Sequence, residues 1–135
     1  MPPIQLDLAS RLEVLQEVQA KLSLMLAARG IDPDEVDNIG VAVRESVVNA
    51  IKHGNSLDGA KQVHVQMAIE SDQLEVVVRD EGRGFDPDSL PDPFAPENLL
   101  KPEGRGMLMM RSFMDDVDFS FPHSGGTVVR LRKRL

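Results

Sequence analysis

The chain has 135 residues and a formal net charge of −7. This length favours one domain with a hydrophobic core, and we expect residues 1–135 to form it. The acidic balance argues against direct binding to nucleic acid, which depends on basic surface. Cysteine is absent, which excludes disulfides and thiolate zinc sites. Without a membrane-spanning apolar stretch or a secretory signal, the sequence predicts a cytoplasmic protein that does not enter a membrane.

The first elements in the chain are a predicted strand and a predicted helix. Residues 4–8 alternate apolar and polar side chains, as in a half-buried strand. Ser10 is then expected to cap a helix that runs to about Ala28 and ends at Gly30. Apolar residues recur along this helix at steps of three and four, which predicts one buried stripe: Leu12, Leu15, Val18, Leu22 and Met25.

A second helix is predicted from Asp32-Pro33 to about His53, followed by Gly54 as its stop. Aspartate before proline is a strong helix start, because the acid can cap the helix and proline fits its first turn. The buried stripe of this helix is expected to be Val36, Val43, Val47 and Ile51.

The second half of the chain predicts two pairs of strands separated by a long irregular segment and a helix. Residues 61–70 and 73–80 alternate and read as strands joined by a turn. Five prolines then interrupt the pattern, which predicts a lid over approximately residues 85–103. A helix over 107–114 and strands over 117–121 and 127–135 complete the prediction. The order of these elements predicts an α+β, two-layer sandwich with helices on one face of the sheet.

The second predicted helix carries polar side chains that could bind a metal–phosphate group. Glu45, Asn49 and His53 are spaced by four, so an α-helix places them on one face, with Lys52 near them. A carboxamide oxygen is a hard ligand that suits Mg²⁺. The alternative is a solvated helix face, with His53 near the helix C-terminus because a cation there favours the helix dipole.

Two glycine clusters bracket the predicted lid. Asp80, at the end of a strand, precedes Gly82 and Gly84, and its carboxylate could accept a hydrogen bond from a purine amino group. The alternative is an aspartate that closes an ordinary turn. After the lid, Gly104 and Gly106 open a helix and flank Arg105. Free N–H groups at a helix start bind anions, although a hinge with a helix cap would show the same pattern.

These three clusters, in this order, resemble the nucleotide-binding boxes of the Bergerat-fold (GHKL) ATPase superfamily. Residues 45–54 resemble its N box, residues 80–86 its first glycine box and residues 104–107 its second. In its compact size and in the motif Asn-Ala-Ile-Lys-His-Gly within the N box, the chain resembles the anti-sigma-factor serine/threonine protein kinases. That resemblance implies a mixed, mostly antiparallel sheet with an ATP lid.

The resemblance also implies a role for each matching residue. Asn49 would coordinate Mg²⁺, and Glu45 would be the general base toward a substrate serine. Arg105 would act with Glu45 at the terminal phosphate. The residues implied to bind the nucleotide are Asn49, Lys52, His53, Asp80, Gly82, Gly84, Gly104, Gly106 and Thr127.

The implied activity is phosphorylation of a serine on an anti-anti-sigma partner with a STAS domain. The same protein would sequester a sigma factor when that partner is absent, and homodimerisation is expected from the family. Two alternatives remain open at the level of sequence. One is a module that binds ATP or ADP only to switch between partners, without phosphoryl transfer. The other is a structural domain in which the three clusters are coincidental.

Overall fold

The computed structural model of the chain describes residues 2–82 and 106–135. Its helices and strands are β1 (Ile4–Ala9), α1 (Leu15–Ala28), α2 (Pro33–Asn49), β2 (Gln62–Glu70), β3 (Gln73–Arg79), α3 (Gly106–Phe113), β4 (Asp116–Ser120) and β5 (Val128–Arg134). A 3-10 turn (Leu12–Val14) precedes α1, and a π-helical turn (Ala50–Gly54) continues α2. The predicted order of elements is confirmed, and the predicted lid lies outside the described residues.

The five strands form one sheet in the order β1-β2-β3-β5-β4. All four neighbouring pairs in this sheet are antiparallel, so the expectation of a mixed sheet is wrong for the described strands. The reason lies in the connections. Hairpin turns join β2 to β3 and β4 to β5, and two antiparallel helices between β1 and β2 return the chain to the end of the sheet where β1 finished.

The helices cover one face of the sheet, as the alternation predicted. Buried and exposed residues alternate along β2 and β3, which is the pattern of a sheet with one covered face. The inward side chains pack against α1, α2 and α3 in a single core. Its largest fully buried side chains include Leu22, Leu26, Ile39, Ile51, Met67, Leu74, Met110 and Leu131. The fold class, α+β with two layers, is therefore confirmed.

The start of α1 differs from the prediction. Ser10 does not cap a helix; its hydroxyl donates to the carbonyl of Lys61 at 2.8 Å, next to the start of β2. The α-helix begins at Leu15, after the 3-10 turn, and no side chain caps it. Leu12 was predicted to belong to the buried stripe, but it is 43% exposed and lies in the 3-10 turn. The predicted end at Gly30 is confirmed, since this residue has φ +70°, the left-handed conformation that glycine adopts readily.

Helix α2 begins as predicted and ends differently. The Oδ1 atom of Asp32 accepts a hydrogen bond from the backbone N–H of Asp34 at 2.8 Å, which caps the helix. The α-helical pattern stops at Asn49, and the N–H of Asn55 donates to the carbonyl of Ala50 at 2.8 Å. This i→i+5 bond defines the π turn, a feature that often occurs at functional sites. Within residues 2–82 and 106–135, no helix is both long enough and apolar enough to cross a bilayer.

Candidate nucleotide-binding site

Asp80 lies directly after β3 and is 1% exposed. Its Oδ1 atom accepts hydrogen bonds from the N–H groups of Gly82 at 3.0 Å and Thr127 at 3.2 Å. Its own N–H donates to the Thr127 carbonyl at 3.1 Å. Its Oδ2 atom is also buried, and it accepts no hydrogen bond from any described residue. Because an unpaired buried acceptor is costly, this oxygen is suited to a donor that a ligand brings.

The environment of Asp80 also changes its titration. Burial raises the pKa of the Asp80 carboxyl, and the hydrogen bonds from Gly82 and Thr127 oppose that rise only in part. The charged carboxylate is therefore incompletely compensated in the folded chain. A ligand N–H placed at Oδ2 would supply the missing compensation.

Three glycines allow separate segments of backbone to meet at Asp80. A Cβ atom on Gly54, at the end of the π turn, would lie 2.2 Å from Asp80 Oδ2. A Cβ on Gly82 would lie 1.7 Å from the Gly54 carbonyl oxygen, and one on Gly126 would lie 2.3 Å from the Asp80 carbonyl oxygen. Such separations are far below van der Waals contact, so a side chain at any of the three positions would displace the Asp80 turn.

The preceding turns of α2 lie against the start of α3. A Cβ atom on Gly106 would lie 2.3 Å from Glu45 Oε2, so this carboxylate is in contact with the first residue of α3. One turn further along α2, Asn49 is 8% exposed, and its Nδ2 atom lies 4.0 Å from the sulfur of Met107. A helix start presents free N–H groups and partial positive charge. An acid, an amide and a helix start that could bind an anion are thus brought together.

The remaining predicted residues divide into two groups. Lys52 and His53 are exposed on the π turn. The four-residue spacing from Asn49 to His53 assumed a continuous α-helix, whereas residues 50–54 form a π turn. The others, Gly84, Gly104 and Arg105, lie outside the described residues.

His64 lies between two carboxylates on the open face of the sheet, beside the Asp80 turn. His64 Nδ1 is 2.6 Å from Asp7 Oδ1, and its Nε2 is 2.8 Å from Glu81 Oε2. The hydrogen bond with Asp7, above all, raises the pKa of His64, while partial burial opposes the rise. His64 also borders a polar depression of about 320 Å³ that contains none of the predicted site residues.

Sequence reasoning missed Asn55. This residue is 0% exposed and follows the π turn directly. Its side-chain amide donates to Ser10 Oγ at 2.7 Å and to the Gln62 carbonyl at 2.9 Å, and its Oδ1 accepts from the N–H of Glu81 at 2.8 Å. A small amide directly after a helix-ending glycine was the available signal, but it looks the same as an ordinary turn residue.

Comparison with known proteins places this geometry in a family. The family described as "Histidine kinase-like ATPase domain" matches residues 8–133. An anti-sigma F factor of Heyndrickxia coagulans is 38% identical over 112 residues, which cover 78% of this chain and 75% of that protein. The serine-protein kinase RsbW of Bacillus subtilis (strain 168) is 30% identical over 131 residues, which cover 93% and 81%.

Solved structures show the same fold. The RsbU and RsbW domains of a Mycobacterium tuberculosis protein align with a TM-score of 0.72 and 24% identity. That alignment covers 100% of this chain and 33% of the longer mycobacterial chain. The mycobacterial sensor histidine kinase MprB aligns with a TM-score of 0.54 and 18% identity, covering 99% of both chains.

The sheet, the helices on one face and the Asp80 turn define an ATPase domain of the histidine-kinase type. The chain belongs to the GHKL ATPase superfamily and, within it, to the anti-sigma-factor serine kinase family. The resemblance predicted from the three sequence clusters is therefore confirmed.

Proposed function

We propose that the chain is an ATP-dependent serine kinase that phosphorylates an anti-anti-sigma protein of the STAS type. In the absence of that partner, the same chain sequesters a sigma factor. The family supplies the class of activity, and its relatives carry the names anti-sigma F factor and serine-protein kinase. The observation that supports the proposal most directly is the Oδ2 atom of Asp80, which is buried after β3 and has no hydrogen-bond partner among the described residues.

The Asp80 end of the site fits adenine. The 6-amino group of adenine is a donor, and Asp80 Oδ2 is a buried acceptor that lacks one among the described residues. A guanine base would present its carbonyl oxygen at that position and would leave two acceptors facing each other. Gly54, Gly82 and Gly126 bring three backbone segments together around Asp80.

The Glu45 end fits the phosphates and the attacking hydroxyl. Asn49 would hold Mg²⁺ through its amide oxygen, and the ion would neutralise charge on the phosphates. Gly106 would contribute N–H groups at the start of α3, and Lys52 would contribute a cation from the exposed side of the π turn. Glu45, in contact with Gly106, would accept the proton of the serine hydroxyl as it attacks the terminal phosphate.

Three further positions complete the proposed site, all outside the described residues. Gly84 would let the base and ribose approach the backbone. Gly104 and Arg105 would hold the terminal phosphate beneath a lid at approximately residues 85–103.

His53 is proposed as a nucleotide contact from its exposed position on the π turn.

The test is transfer of labelled phosphate from ATP to the STAS-domain protein of the same cell. Glu45→Gln keeps the size of the side chain and removes its basicity. We expect ATP affinity within about twofold of wild type and a transfer rate lowered by about 10²–10⁴, the usual contribution of a general base. Glu17→Gln makes the same chemical change on the exposed surface of α1 and is expected to transfer phosphate at the wild-type rate.

Two results would contradict this proposal. Equal transfer by the Glu45→Gln variant and wild type would remove the role of Glu45. A stoichiometric complex with the partner that forms with ATP but never yields phosphoserine, measured by mass spectrometry, would replace the kinase with a module that only switches partners.

The wider assignment follows from the same proposal. Residues 1–135 would act as one nucleotide-binding domain in the cytoplasm, where sigma factors engage RNA polymerase. Recovery of a sigma factor in an affinity pull-down with ATP or ADP would identify that partner. Homodimerisation stays a prediction, which sedimentation equilibrium tests.

A further inference from the structure

The Asp80 turn is held by hydrogen bonds from the backbone N–H groups of residues 80–82. Each of its three N–H groups has a named acceptor. The N–H of Asp80 donates to the Thr127 carbonyl at 3.1 Å, and that of Gly82 donates to Asp80 Oδ1 at 3.0 Å. The N–H between them, that of Glu81, donates to Asn55 Oδ1 at 2.8 Å. Asn55 is therefore the only side chain outside the turn that accepts from its backbone among the described residues.

Asn55 joins this turn to three other parts of the chain. Its amide donates to Ser10 at the end of β1 and to the carbonyl of Gln62 at the start of β2. Its backbone N–H closes the π turn on Ala50. Both amide hydrogens and the carbonyl oxygen of the side chain are thus in use, and the residue is 0% exposed. A fully satisfied buried amide has one stable orientation, so it fixes the distances among the segments it joins.

The side chain of Glu81 makes two further contacts, both with β2. Glu81 Oε1 accepts from the N–H of Gln62 at 2.9 Å, and Oε2 lies 2.8 Å from His64 Nε2. Gln62 therefore receives a hydrogen bond at its carbonyl from Asn55 and donates one from its N–H to Glu81. A closed ring of hydrogen bonds thus joins Gln62, Asn55 and Glu81, next to Asp80 in the chain.

We infer that Asn55 is a positioning residue for the proposed adenine subsite and that it determines how well the site distinguishes a 6-amino from a 6-oxo purine. This inference rests on the proposed function. Asn55 acts through Glu81, because the peptide it holds is the one that follows Asp80. Loss of its Oδ1 atom frees that peptide and lets the Asp80 carboxylate rotate away from the orientation in which Oδ2 meets the base. Small displacements of this kind lower affinity when a hydrogen bond depends on alignment.

The experiment compares binding of ATP and of inosine triphosphate, which has a carbonyl oxygen in place of the 6-amino group. For the wild type we expect an affinity ratio favouring ATP by about tenfold or more, the usual effect of one charged hydrogen bond. Asn55→Ala should lower that ratio to within about twofold of one. A general loss of folded protein would weaken both ligands equally and would leave the ratio unchanged.

The matched control is Ser10→Ala. This change removes a buried partner of the Asn55 amide but leaves the Asn55–Glu81 contact intact. We expect lowered thermal stability with the wild-type ratio of affinities. A wild-type ratio in Asn55→Ala, or an equal fall of the ratio in both variants, would overturn the inference and leave the proposed function standing. A wild type that does not distinguish the two nucleotides would instead contradict the proposed adenine subsite itself.

A second measurement covers the case in which Asn55→Ala does not fold. Hydrogen exchange of the Glu81 amide in the wild-type chain should be slowed by at least about tenfold relative to an unstructured peptide, because its acceptor is buried. Addition of ATP should slow it further. Exchange of this amide at the unstructured rate with ATP bound would overturn the inference.

Discussion

Replacing Asp80 by asparagine separates the stability of the fold from its proposed capacity to bind ATP. Asparagine has the same shape and can keep the Oδ1 acceptor that Gly82 and Thr127 use. At the other position an Nδ2 donor replaces the unpartnered Oδ2 atom. The adenine amino group would then meet a donor instead of an acceptor. We therefore expect ATP affinity to fall while the chain remains folded.

The size of the fall follows from the single contact removed. A hydrogen bond to a charged group contributes about 1.5–3 kcal/mol, which corresponds to roughly 10- to 100-fold in affinity. The opposite sign is expected for stability. Burial raises the pKa of Asp80 above its ordinary value of 3.8, so the folded chain binds this proton more tightly than the unfolded chain does. The contribution of Asp80 to stability is therefore lost as the pH rises through the raised pKa.

Asparagine does not titrate, so the stability of the variant does not fall with pH at this position. The variant should therefore gain stability relative to wild type between about pH 4 and about pH 7, seen as a higher free energy of unfolding at pH 7. Isothermal calorimetry measures the affinity, and urea denaturation at the two pH values measures stability. Asp37→Asn, on the exposed surface of α2, makes the same substitution away from the site and should change neither quantity. An Asp80→Asn variant with wild-type ATP affinity would refute the role given to Oδ2.

Two further predictions concern the surroundings of Asp80. Gly82→Ala places a methyl group 1.7 Å from the Gly54 carbonyl oxygen, a backbone atom that cannot rotate away, and should cost about 1–3 kcal/mol in urea denaturation and weaken ATP binding. A Gly82→Ala chain as stable as wild type would contradict the close approach. His64 has a pKa raised above 6.5, so the stability that its protonated ring contributes should be lost as the pH rises from 6.5 through the raised value. Across that pH range, the free energy of unfolding should fall for wild type and stay nearly constant for His64→Ala. Parallel curves for the two proteins would contradict the pairing of His64 with Asp7 and Glu81.

The repetitive part of the fold was predictable because its signal is local. The alternation in β2 and β3 and the turn at Ser71-Asp72, where both residues have positive φ, depend on neighbours in sequence. The Asp32 cap and the Gly30 stop are local in the same way. The family resemblance added the sheet and the likeness to ATPases, and its one error of topology was the mixed sheet.

The errors have a different origin, because they depend on partners far away in sequence. Ser10 has the composition of a helix cap, but its hydroxyl bonds to a carbonyl 51 residues later. Asn55 resembles any turn residue until β2 and the turn after β3 are brought beside it. The π turn ends at Gly54, which contacts Asp80 across the fold. No periodicity in the sequence records these contacts.

For the candidate site, sequence reasoning found residues at both ends but not the structure between them. Asp80, Gly82 and Thr127 meet, as the family resemblance implied. Glu45 and Gly106 meet at the start of α3. The four-residue spacing that linked His53 to this group assumed an α-helix, and the π turn breaks that assumption.

One helical segment separates the two ends of the proposed nucleotide site. Glu45 touches the start of α3, and Gly54 touches Asp80, with an unbroken backbone between them. At about 1.5 Å per helical residue, the segment from residue 45 to residue 54 is roughly 13 Å long. A ligand that reaches only part of that length would engage one end and leave the other empty. In the proposed site, the length of the bound nucleotide would therefore be matched to this helical segment.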